Sequence, residues 1–159
     1  MSVRGFSLIE LLSILVLLSV LSLFAVPSFQ QLIVRYQLKQ DVSSVEGLVR
    51  MIRMQAIGRG TDMYFTLERE IAGTRLCWED RVHAPECSEL IRNAHLEWNF
   101  AANPMLFRGL TGMAGFSAGH IRVRHRDAQR LDQYRVIVST LGRIRVCAVH
   151  GPESFYEAC

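Results

Sequence analysis

A carboxylate at the mouth of a long uncharged run constrains this chain more than any other feature. From Leu11 to Val34 no residue is charged, and Glu10 stands directly before that run. As a helix rising 1.5 Å per residue, Leu11–Val34 spans about 36 Å, enough to cross a hydrocarbon core of roughly 30 Å. A secretory signal would place its small-residue cleavage site after a short apolar core. Here the run is too long, and the small residue, Gly5, precedes it. A plain anchor explains the length but not the acid. A carboxylate carried toward the bilayer centre costs about 2.5–3.5 kcal/mol or more, so Glu10 predicts a partner.

The helical pattern continues beyond the apolar run. Pro27 removes one backbone hydrogen bond and crowds the preceding turn, which predicts a bend. Farther on, Leu38, Val42, Val45, Val49, Ile52 and Ala56 recur at spacings of four and three, a stripe that predicts packing on a globular domain. Arg35, Lys39, Asp41, Glu46, Arg50 and Arg53 lie mostly off it. Gly58 and Gly60 are the predicted stop, giving a helix over residues 6–57 of about 78 Å.

After Gly60 the period changes from helical to alternating. Met63–Leu67, Thr74–Trp78, His95–Phe100, Gly119–Arg124, Tyr134–Val138 and Arg143–Cys147 are short, rich in β-branched and aromatic residues, and read as strands. Ala72-Gly73, Asn103-Pro104 and Leu141-Gly142 separate them as turns. Strands without helices between them predict an antiparallel sheet over residues 58–159, and an α+β fold for the whole chain. Trp78 and Trp98 are expected in its core.

Four cysteines, Cys77, Cys87, Cys147 and Cys159, all follow the apolar run and form no C-x-x-C pair. On the exported side of an anchor such a set predicts disulfides. Local pairing would close two short loops, but three connectivities are possible. The basic residues are biased: of 18, only Lys39 is lysine. Arginine suits planar, bidentate contact with phosphate and carboxylate. Enzyme chemistry finds no support, with no Walker A loop, no H-E-x-x-H and no G-x-S-x-G. His83, His95, His120, His125 and His150 are too scattered to suggest a metal site, and no cofactor motif occurs.

The segment Gly5-Phe6-Ser7-Leu8-Ile9-Glu10-Leu11-Leu12 resembles the processing motif of type IV pilins and type II secretion pseudopilins. The resemblance implies a leader of residues 1–5, cut after Gly5 by a prepilin peptidase, and N-methylation of Phe6. It implies an inner-membrane anchor over about residues 8–34 with the globular domain periplasmic, followed by assembly with other pilin subunits into a filament at the cell surface. Glu10 would then pair with the N-terminal ammonium of a neighbouring subunit, neutralising a buried acid and setting the register.

Within the globular part, Phe107–Phe116 and Val138–Val146 resemble the FimT/GspH group of minor pilins and pseudopilins. Gly142-Arg143-Ile144-Arg145 fits the G-R-x-R motif of FimT-like members, which implies DNA binding in natural transformation. In a strand, Arg143 and Arg145 would share a face about 6.6–6.8 Å apart, with Ile144 and Val146 turned inward. Gly142 would permit the turn before them and leave room for close approach. Arg122, Arg124 and Arg126 alternate in the same way, and with Arg135 they would widen the positive field. Contacts to the phosphate backbone give affinity without sequence specificity. The tail would add Phe155 and Tyr156 as stacking surfaces. Against this stands a plainer reading, in which alternating arginines form the solvated face of a half-buried sheet. The subunit would then act through protein contacts alone, as a tip or priming minor pilin or a secretion pseudopilin.

Overall fold

The computed structural model describes residues 7–126, 133–150 and 155–159, without the side chains of 24–28 and 150. Gly5 and Phe6 lie outside the described residues, as does Pro27's side chain, while helix α1 continues unbroken through position 27. The chain forms two compact units, one through Arg35 and one from Tyr36 onward. Helix α1, Leu8–Arg59, contributes to both.

In the first unit, α1 has apolar side chains exposed on all sides, among them Leu8, Leu12, Val16, Leu17 and Leu23. Ser13, Ser19 and Ser22 turn their hydroxyls back onto the helix, donating to the carbonyls of Glu10, Val16 and Leu18. That satisfies each hydroxyl without an outside partner. Among the described residues no helix is long and apolar enough to cross a membrane.

The second unit is α+β. Its strands are β1 Met63–Glu70, β2 Gly73–Glu79, β3 Glu86–Cys87, β4 Ala94–Phe100, β5 Met105–Phe107, β6 Gly119–His125, β7 Gln133–Val138 and β8 Ile144–His150. They form two antiparallel sheets of four strands, ordered β3-β2-β1-β5 and β4-β6-β7-β8, where the alternation had suggested one. The short strands β3 and β5 carry too few residues for a period to show, and they complete the first sheet.

The expected stripe on α1 is the centre of the core: Leu38, Val42, Val45, Val49, Ile52 and Ala56 are all fully buried. Each such aliphatic side chain contributes about 1.5–3 kcal/mol by leaving water, Ala56 less. Against them pack Met63, Phe65, Leu76 and Phe107 from the first sheet, and Leu96, Ile121, Val123, Val136 and Val138 from the second. Phe65 meets the rings of Trp98, Phe100 and Phe107 with centroids 5.6–6.0 Å apart. Trp78 is buried, and Trp98 packs on the core while its Nε1–H donates to the Ala102 carbonyl.

The helix passes through Gly58 and ends two residues later than expected, at Arg59. Gly60, at φ 66°, makes the left-handed stop. Two disulfides, Cys77–Cys87 and Cys147–Cys159, realise the local connectivity. The first crosses β2 and β3; the second holds the C-terminal tail, where Ala158 bridges Ala148 in parallel and covers part of the β8 edge.

Candidate functional site

The residues of the arginine-rich region fall into place through strand register. Directly opposed residues of neighbouring strands share a face. In the second sheet Glu97 faces Arg122, His95 faces Arg124, Arg122 faces Arg135, and Ile137 faces Arg145. Arg122, Arg124, Arg135 and Arg145 therefore lie on one face, while Ile121, Val123, Val136 and Val146 on the other are buried. Arg143 stands one residue before β8 and is exposed, like Arg145, with Ile144 buried between them. Arg126 follows β6 and is also exposed.

Several of these arginines are already engaged. Glu97 takes Arg122 at 3.1 Å on one oxygen and Arg124 in a close contact on the other. Arg145 pairs at 3.0 Å with Glu157 of the tail, the two side chains being 56% and 87% exposed. Exposed pairs of this kind contribute about 0–1 kcal/mol, so a phosphate displaces them at little cost. Arg143 and Arg135 have no carboxylate partner among the described residues. Arg135 also sits directly opposite another arginine, an unfavourable pairing that an anion would relieve. The positive field registers on His120, whose pKa is lowered by burial and then by Arg135 and Arg122.

Gly142 permits the expected turn, and the space it leaves is filled by its own chain. It is buried, at φ 77°, and a Cβ there would lie 1.9 Å from the Gly112 carbonyl oxygen. The close approach it permits is therefore to its own chain. Arg53 on α1 donates from Nε to that same carbonyl at 2.9 Å, and Arg50 donates to the Ile144 carbonyl at 3.2 Å. The turn itself is closed by Gly142 N–H to the Ser139 carbonyl at 2.8 Å and Arg143 N–H to the Ser139 hydroxyl at 3.0 Å. Two helix arginines, read from the sequence only as lying off the apolar stripe, thus hold the backbone from which Arg143 and Arg145 project.

The aromatic residues of the tail are likewise occupied. Tyr156 packs edge-on against Tyr134, and its hydroxyl lies 3.2 Å from that of Ser43. Phe155 meets Tyr36 at 5.8 Å and lies beneath the Lys39 ammonium at 4.3 Å. Both side chains tie the tail to the rest of the domain, and Phe155 keeps part of its ring exposed. Glu10 lies exposed in the first turn of α1, with no ion-pair partner among the described residues. Cys77 and Cys87 come near Glu68, but their sulfurs are joined in a disulfide and are not thiolate ligands.

Among the described residues, the class defined by these features is an α+β domain of one α-helix and two antiparallel sheets with two disulfides. No family model, curated protein or solved structure matches this chain at a significant level.

Proposed function

We propose that this chain is a FimT-like minor pilin that binds DNA through its phosphate backbone for uptake. The observation that carries the reading is the shared face of Arg122, Arg124, Arg135 and Arg145, continued by Arg143, with only Glu97 and Glu157 as described acids paired to it. Charge of one sign on a rigid sheet raises the local concentration of a polyanion, and arginine forks engage phosphate oxygens without reading bases. The anchor reading rests on the exposed apolar side chains of Leu8–Leu23 and on the uncharged sequence to Val34. Leader removal by a prepilin peptidase, the inner-membrane anchor and assembly through the N-terminal helix belong to the same proposal.

The test is a titration of labelled DNA with the full chain in non-ionic detergent across a range of salt. Replacing Arg143 and Arg145 together with Gln weakens binding to all sequences alike and flattens the salt slope by about two, one for each lost phosphate contact. Unchanged binding by this double variant removes the assignment. The ion pairs to Glu97 and Glu157 favour a second reading, in which the charged face is internally balanced and the subunit serves filament or secretion contacts alone. That reading requires no DNA binding at moderate salt, and loss of filaments or secretion on deletion.

A further inference from the structure

We propose that the end of the domain around Phe116 is a stacking site for an unpaired nucleobase, so that the protein engages single-stranded DNA or frayed ends. This rests on the DNA-binding reading and adds to it a second contact chemistry. Phe116 is 102% exposed, and Leu110 and Leu141 are 90% and 66% exposed.

The backbone brings these residues to one place. The N–H groups of Ala114 and Gly115 both donate to the Thr140 carbonyl, at 3.1 and 2.9 Å. The segment leading to Phe116 is thereby tied to the turn that carries Leu141 and leads into Arg143. On the other side of Phe116, Ser117 is buried, and its hydroxyl donates to the Ala114 carbonyl at 2.6 Å and accepts from the Leu106 N–H at 3.3 Å. Phe116 is therefore an apolar ring held out in water by backbone fixed before and after it.

The charge carried by the same loops selects the ligand. Arg143 is exposed and has no carboxylate partner among the described residues. Arg108 is exposed at the start of the same loop, where its carbonyl accepts from Gly112 N–H at 2.7 Å. A ligand suited to an exposed aromatic ring on the same tied loops as two exposed arginines carries negative charge and flat apolar surface together. Single-stranded nucleic acid does so, with its base faces open to stacking on aromatic rings. In an intact duplex those faces are covered, so the ring contributes little there while the arginines still reach phosphates.

The experiment compares a short oligothymidine with a blunt duplex of equal length, both binding the full chain in non-ionic detergent. Phe116→Ala weakens the oligothymidine on the order of 10-fold or more, the loss of one stacked base, and leaves the duplex within about twofold. Phe116→Trp supplies an emission that the single strand quenches and the duplex does not. Equal loss on both DNAs, or no loss on the single strand, overturns the proposal while the arginine reading stands. Quenching of the Phe116→Trp protein by an acidic peptide and not by oligothymidine also overturns it, assigning the face to a protein. If neither DNA binds the wild-type chain, both readings fall together.

Discussion

Replacement of Gly142 by Ala separates a glycine that serves the fold from one that serves the ligand. The new Cβ would stand 1.9 Å from the Gly112 oxygen, a backbone atom that Arg53 holds at 2.9 Å. Carbon and oxygen approach to about 3.3 Å, so the loop must retreat by about 1.4 Å, or the turn must open. The left-handed backbone at φ 77° adds to this. A side chain in that conformation costs roughly 1–2 kcal/mol, and overpacking a filled site roughly 1–3 kcal/mol. Together these predict a loss of about 2–5 kcal/mol, a large part of the roughly 5–15 kcal/mol that holds a domain folded. Urea unfolding of the full chain in non-ionic detergent, followed through Trp78 and Trp98, reads this as a lower midpoint at constant slope. The Arg143→Gln, Arg145→Gln double variant should unfold within about 0.5 kcal/mol of wild type, since both side chains are exposed. A Gly142→Ala protein with the native midpoint would refute the packing argument. If it also lost DNA binding, the glycine would be needed for the ligand's approach after all.

Other perturbations test separate parts of the structure. Changing Cys147 and Cys159 to Ser opens a loop of separation 12 and should lower stability by about 3 kcal/mol on the chain-entropy estimate; an unchanged unfolding midpoint would count against a constraining bridge. The same variant releases Glu157 from Arg145, so its remaining folded fraction should bind DNA more tightly at low salt, whereas weaker binding would make the tail part of the interface. Asp80 accepts from the N–H of His83 at 2.8 Å, from His83 Nδ1 at 2.7 Å and from the N–H of Val82 at 3.0 Å, which together hold its pKa well below the usual carboxylate range against the opposing effect of burial. Its contribution is therefore full above the unfolded carboxylate pKa of about 4 and is lost as pH falls toward the folded value. Asp80→Asn should lower stability at pH 7 and shrink the acid-induced decline, and an unaltered pH profile would assign that decline elsewhere. Glu10→Ala should leave leader cleavage intact and impair incorporation into filaments; normal incorporation would rule out the ion pair with the neighbouring subunit.

Local chemistry carried much of this protein in plain view. The stripe from Leu38 to Ala56 is legible because a helix repeats its buried face every three or four residues, and all six positions are buried. The six longer strands are legible because alternation persists long enough to show a period. The exposure of Arg143 and Arg145 around buried Ile144 follows from the same two-residue repeat. Local disulfide pairing was one of three possibilities until β2 met β3 and the tail met β8.

What the order of residues does not carry is which strands become neighbours and what the loops touch. The division into two sheets depends on long-range pairing, and β3 and β5 acquire their conformation only from the strands beside them. The engagement of Arg122 and Arg124 by Glu97, the pairing of Arg145 with Glu157, and the burial of Gly142 against Gly112 join residues far apart in sequence or brought round by a turn. Phe155 and Tyr156, open to a ligand in the sequence, lie against α1 because the Cys147–Cys159 bridge returns the tail to the sheet. Periodicity reports the face a residue occupies; only the closed chain decides what occupies the space beyond that face.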